Sequence, residues 1–318
     1  MNKHYSAYWL SIILLCLVAG PAYAGKLNVF TSDAKGFDTH TFWYDDGKEI
    51  TVIDTQFVPQ LASLAIDDIK RKSKNPITRV IITHPNPDKF NGLSALHSIG
   101  AVSIASEATA KAMPAVHQYK KYFFVNIAKK FTNKTYPSFE PIQKTFKQQQ
   151  TIQLKSGETI SLFELKNPGI SSTQTVVRID ATGDLLVGDL IHHNAHPWLE
   201  GGIVNGKAQP NLRSWRQSLD ELLAIDNVKT VYGGRGEFTD IRKAVKAQQQ
   251  YLTTIGTITN NYIANLGEKR EQLFDPNYAG KHHKALQALA VKSYPEYKLP
   301  YMIKYGIYGL VQQIADNY

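Results

Sequence analysis

The run Val80-Ile81-Ile82-Thr83-His84-Pro85-Asn86-Pro87-Asp88-Lys89-Phe90-Asn91-Gly92 decides how this chain is read. Three β-branched residues in a row make a short buried strand. The loop that follows carries a histidine, an amide, a carboxylate and an amine between positions 84 and 89. Upstream, residues 27–30, 39–44 and 50–53 alternate as strands, with turns at 33–36 and at Asp45-Asp46-Gly47, which reads as a meander opening a sheet. Between them and the loop, Leu61, Leu64, Ala65 and Ile69 recur at helical spacing, so 59–72 is expected to be a helix.

The alternation of helix and strand continues downstream. Residues 93–99 and 107–113 read as helices around a strand at 102–105. The Lys-, Tyr-, Phe- and Gln-rich stretch 114–150, with Pro137 and Pro141, reads as an insertion over one edge. Strands are expected at 151–154, 159–165, 175–179, 185–187 and 228–232, with a helix at 214–225. From Thr239 on the chain is mostly helical, chiefly 248–266 and 301–318.

The first residues stand apart. Lys3 precedes an apolar run from Trp9 to Ala19, and Ala22-Tyr23-Ala24 has the small-x-small pattern of a signal-peptidase site. Gly20-Pro21 ends the run short of the roughly 20 residues a spanning helix needs, so 1–24 is expected to be an export signal and the mature protein periplasmic, with no stable membrane span. The single cysteine, Cys16, lies inside that signal, which excludes disulfides, cysteine nucleophiles and thiolate metal sites from the mature protein. Loss of 1–24 removes one lysine and no acid, lowering the net charge from +9 to +8. Clusters such as Lys70-Arg71-Lys72 and Lys120-Lys121 read as solvated helix faces. For an exported chain of this charge the expected partner is an anionic small molecule or an anionic membrane surface, and nucleic acid is not.

The 83–92 loop resembles the H-x-H-x-D-H signature of the metallo-β-lactamase superfamily, followed by its glycine. The other landmarks of that family occur in order: Ile53-Asp54-Thr55, Pro168-Gly169-Ile170-Ser171, Val187-Gly188-Asp189-Leu190 and Gly234-Arg235-Gly236. The resemblance spans about residues 25–240. It implies a four-layer αββα sandwich, here with a helical C-terminal extension over 241–318, and a zinc centre fed by seven ligand positions. Of these, His84, Asp88 and Asp189 are kept; Asn86, Lys89, Ile170 and Arg235 stand where the family has histidines. Asp54 is expected to support the loop from behind.

Three functional readings follow. In the first, Lys89 and Arg235 neutralise Asp88 and Asp189 in place of metal, and the chain is a pseudo-hydrolase without a cofactor. It would bind a small anionic ligand among His84, Asn86, Asp88, Lys89, Asp189 and Arg235, beside the aromatic residues Tyr119, Tyr122, Phe123 and Phe124; Asp88 and Lys89 are the candidates for any catalytic role. In the second, one zinc ion is held by His84, Asp189 and a histidine among His192, His193 and His196, giving a hydrolase of esters, lactones or amides. In the third, the tyrosines 297, 301, 305, 308 and 318 form a homodimer or docking surface, against the alternative that they simply pack into the core. His40 is placed away from the centre, His97 and His117 at the surface, and His282-His283 in a solvated turn. Glycine-rich phosphate loops, dinucleotide fingerprints and G-x-S-x-G elbows are absent from the sequence.

Overall fold

The computed structural model describes residues 25–316; the proposed export signal and Tyr318 lie outside them. The first sheet is laid down in chain order by β1 (Lys26–Thr31), β2 (His40–Asp45), β3 (Ile50–Ile53), β4 (Ile77–Ile81), β5 (Val102–Ser106) and β6 (Lys144–Phe146). Its first three strands are antiparallel and the rest parallel, because a tight turn joins β2 to β3 whereas helices make the later crossovers. Side chains in β2 alternate: Phe42 and Tyr44 enter one apolar cluster and Trp43 another, so both faces of the sheet are covered.

One face is covered by α1 (Pro59–Lys72), the short α2 (Pro87–Phe90) and α3 (Leu93–His97), and α4 (Glu107–Tyr122). Ile66, Ile69, Phe90, Leu93 and Met113 pack there against Val52 and Val80. The other face meets a second six-stranded sheet, ordered β16-β14-β10-β9-β8-β7. Its strands are β7 (Gln149–Gln153), β8 (Thr159–Glu164), β9 (Thr175–Ile179), β10 (Asp184–Leu186), β14 (Thr230–Tyr232) and β16 (Thr239–Asp240). Two small ribbons lie outside it: β11 (His192–His193) with β15 (Arg235–Gly236), and β12 (Gly202–Val204) with β13 (Lys207–Gln209). Ile53, Ile81 and Ile104 from the first sheet interlock with Leu162, Val177 and Leu186 from the second. The outer layer is α5 (Leu212–Leu223), α6 (Ile241–Ala264), α7 (Ala279–Ser293) and α8 (Tyr301–Ala315). The αββα architecture is thus the one expected, and the C-terminal helices share a single core with the second sheet through Leu252, Leu286, Ile303 and Leu310. Among the described residues no helix is long and apolar enough to cross a membrane.

Several sequence expectations are corrected. Helix α4 does not stop at Met113 but continues through Pro114 to Tyr122, because Met113, Val116, His117 and Lys120 form one buried stripe whose packing outweighs the proline. Lys120 is therefore interior, not part of a solvated face. His117 is buried, with Nε2 2.9 Å from the Pro137 carbonyl, and His282 is buried against the Tyr262 hydroxyl at 2.8 Å. The C-terminal tyrosines, by contrast, follow the core-packing alternative: Tyr297 stacks on Tyr251, Tyr305 on Trp198, Tyr301 donates to Asp38, and the hydroxyls of Tyr308 and Tyr119 lie 2.9 Å apart.

Candidate functional site

The loops at the ends of β3, β4, β10 and β14 meet at one end of the sandwich. Asp54, directly after β3, adopts a left-handed conformation (φ 58°) and accepts hydrogen bonds from the Thr83 amide at 2.8 Å and the Thr83 hydroxyl at 2.9 Å. That anchors the start of the 83–92 loop from behind. The Thr83 hydroxyl is also 2.9 Å from His84 Nδ1, while His84 Nε2 points toward Asp189 at 3.6 Å. Asn86 precedes α2, whose single turn presents Asp88 and Lys89.

Four ionic side chains then close on one another. The Lys89 ammonium is 2.9 Å from Asp88 Oδ2 and 2.8 Å from Asp189 Oδ1. Arg235 spans the same pair, with Nη2 2.8 Å from Asp88 Oδ2 and Nη1 2.7 Å from Asp189 Oδ2. Two more of its five donors go to the Phe37 carbonyl and the Thr39 hydroxyl. Lys89 is 0% exposed, Asp189 1% and Arg235 2%. Burial disfavours every charge here, yet each is retained: Lys89 and Arg235 hold the Asp88 carboxyl below its ordinary range, and Arg235 and Lys89 do the same for Asp189. In turn Asp189 and Asp88 raise the Lys89 ammonium despite burial, so it is a donor rather than a base. Gly234 makes this approach feasible, since a Cβ there would lie 2.0 Å from Asp189 Oδ1 and 2.8 Å from Lys89 Nζ.

The sequence-derived residues are therefore only partly gathered. His84, Asp88, Lys89, Asp189 and Arg235 converge; Asn86 sits at the rim, and Ile170 is buried in the outer core. His40 is closer to the centre than expected, with its amide bonded to the Gly234 carbonyl and its ring to that of Gly236. Of the three loop histidines, His192 lies behind Arg235 on the β11–β15 ribbon, and burial lowers its pKa to about 3. His196 is engaged with the Tyr251 hydroxyl at 2.8 Å, and His193 is backed by Lys243 and Glu237. Among the described residues no group of three or more His, Cys, Asp or Glu side chains is placed to hold a metal ion.

Above the ionic cluster lies a narrow recess with a volume of about 30 Å³. Asp88, Asp189 and Arg235 form its floor; Phe37, Phe57, Phe124, Trp198 and Met302 form its walls, with Lys120 among them. Of the four aromatic residues singled out in the 114–150 stretch, only Phe124 reaches it. Tyr122 is 63% exposed, Phe123 packs behind Phe124, and Tyr119 turns away toward Tyr308. Lys120, Trp198 and Glu200 were missed as site residues. The signal for Lys120 was its place on the 113-116-117-120 stripe.

Comparison with known proteins places this geometry in context. A family model described as the metallo-beta-lactamase superfamily matches residues 34–235. Among solved structures, a metallo-beta-lactamase from Pontibacter korlensis superposes with a TM-score of 0.54 at 18% identity, over 73% of this chain and 95% of its own. The metallo-beta-lactamase DIM-1, exposed to ceftazidime, gives 0.52 at 19% identity over 72% and 92%, and TMB-1 gives 0.52 at 19% over 72% and 97%. At these identities the likeness speaks to the fold.

Proposed function

Because the chain belongs to the metallo-beta-lactamase superfamily yet closes its centre with two side-chain cations, we propose that it is a metal-independent, non-hydrolytic member that binds a small anionic ligand in the recess. The observation that carries this reading is the Lys89 and Arg235 pair lodged between Asp88 and Asp189. Zinc takes three or four nitrogen, oxygen or sulfur donors at about 2.0–2.3 Å. Here three of the four carboxylate oxygens, Asp88 Oδ2 and both of Asp189, face an ammonium or a guanidinium, and Ile170 offers no donor. A zinc dication about 4 Å from either would be opposed by roughly 8 kcal/mol at an effective dielectric constant near 20. The residues present do not fit a zinc ion, and no step is routed through one.

Without a metal-bound hydroxide, attack on an ester or amide needs another nucleophile. Lys89 is held protonated by Asp189 and Asp88, and His84 is wholly buried. What remains is a preformed pocket with an ionic floor, apolar walls and a buried lysine, a composition suited to binding. The test is thermal unfolding of the purified chain with excess EDTA and then with added zinc. The melting temperature is expected to be the same in both; a drop of several degrees with EDTA, restored by zinc, contradicts the proposal.

Two observations favour a mononuclear zinc hydrolase: His192, buried near Asp189 with neither ring nitrogen hydrogen-bonded among the described residues, and His84 Nε2, equally without a hydrogen bond and 3.6 Å from Asp189. That reading requires zinc-dependent stabilisation that disappears in His192→Ala.

A further inference from the structure

The stretch 108–139 holds six lysines and no acidic residue. Lys120 is spent in the interior on Glu200. Around the far end of α4, Lys129, Lys130 and Lys134 are exposed and Lys121 is half-buried, and none of these four makes an ion pair among the described residues. Past Tyr122 the helix widens into a single π-turn, Phe123–Ile127, closed by the Ala128 amide on the Phe123 carbonyl at 2.8 Å. The wider turn brings residues five apart to the same side, so Tyr122 and Ile127 stand together. They are 63% and 61% exposed, the two highest values for large apolar side chains among the described residues.

The tip is held firmly from behind. Phe124 is buried against Phe37, Phe57 and Tyr136, with Phe131 packed on the same cluster. Asn126 Nδ2 donates to the Tyr122 carbonyl at 3.1 Å. Lys129 then takes a left-handed conformation (φ 50°), and the Lys130 amide returns to the Phe124 carbonyl at 2.9 Å, so the lysines stay beside the apolar pair. Two apolar side chains projecting into water lose hydration free energy, and a cluster of unpaired ammonium groups repels itself. Both terms are relieved by a partner that is anionic at its surface and apolar beneath. Two protruding side chains are far short of the roughly 1,200 Å² that a stable protein interface buries, whereas a fluid bilayer closes around a protrusion of any shape.

We infer that the tip of α4 docks the protein on an anionic lipid surface. Tyr122 and Ile127 enter the headgroup region, where a ring with a polar hydroxyl is well suited. Lys121, Lys129, Lys130 and Lys134 meet the lipid phosphates, their aliphatic stems lying along the apolar boundary. Lys130 also sits over Phe37, a wall of the recess, at 5.0 Å, so the docked surface adjoins that recess. The association is peripheral and depends on neither the metal content nor the ligand reading above.

The test is partition of the purified chain into vesicles of phosphatidylcholine alone and of phosphatidylcholine mixed equally with phosphatidylglycerol, read by flotation. Partition coefficients multiply, so any lipid affinity of the apolar run at 9–19 is common to parent and variants. The parent should prefer the anionic vesicles, and the preference should shrink as salt shortens the screening length. A lysine beside such a surface contributes about fivefold, so Lys129→Gln with Lys134→Gln should lower the anionic-to-neutral ratio by roughly tenfold or more. Tyr122→Ser with Ile127→Ser, both at exposed positions, should cut partition into either vesicle by about tenfold. Lys281→Gln with Lys284→Gln, on α7 in the opposite helix layer, removes the same charge and should change the ratio far less. Equal partition of the parent into both vesicles overturns the inference. So does an α7 variant that matches the α4 one, which would reduce the effect to net charge, or a serine pair that partitions like the parent. Retention on polyglutamate that exceeds the vesicle preference and survives the serine substitutions assigns the surface to an acidic protein instead, and overturns it as well.

Discussion

At position 89 a lysine ammonium is wholly withdrawn from water, and only the two aspartates beside it make that tolerable. Desolvating an ion costs several kcal/mol, and removing one partner of a buried cluster leaves the others uncompensated. Lys89→Met, which keeps the length and loses the charge, should therefore destabilise the chain by about 3–5 kcal/mol, read as a lower denaturant midpoint at unchanged slope. A variant as stable as the parent would mean that the cluster is not the closed unit described. The convergence of His84, Asp88, Lys89, Asp189 and Arg235 was legible in the sequence because ordered landmarks fix which loops share one end of the sandwich. The pairing of Lys120 with Glu200 was not: 80 residues separate them, and no local pattern links a lysine on one helix to a glutamate in a distant loop.

Among the elements, α1 and β9 run over the residues their apolar spacing suggests, whereas α4 does not. Pro114 reads as a stop because it removes an amide donor and crowds the preceding turn. In the structure it is spanned, since Val116, His117 and Lys120 bury their side chains on the same face as Met113. The helix carries that local cost to deliver Lys120 to the recess. Pro114→Ala should thus stabilise the chain, by about 1–3 kcal/mol, with helix content unchanged in circular dichroism; a loss of stability would show that the proline fits its helix without strain. His117 and His282 escaped the sequence reading for a related reason. A histidine's partner, a carbonyl in one case and a tyrosine hydroxyl in the other, is chosen by tertiary packing.

Across the whole molecule, burial of ionisable groups sets the response to acid. Burial lowers the pKa of His40 and of His196 to about 4 and that of His192 to about 3. Unfolded histidines protonate near pH 6.5, so between that pH and about 4 the unfolded chain takes up protons that the folded chain refuses, and stability falls as pH drops. Asp88 and Asp189 act lower down. Their folded values are depressed, so their contribution is complete above the ordinary carboxylate range and is lost as pH falls through their folded values. The melting temperature should therefore decline from pH 7 to pH 5 and more steeply below pH 4; a flat profile between pH 7 and 5 would contradict the burial of these histidines. The same packing makes a side-chain cation pair the centre of an αββα sandwich, and the most direct measurement of that claim is elemental. The chain, purified without chelator or affinity metal and dialysed against buffered zinc, should contain close to none while remaining folded. One tightly held zinc per chain would contradict it.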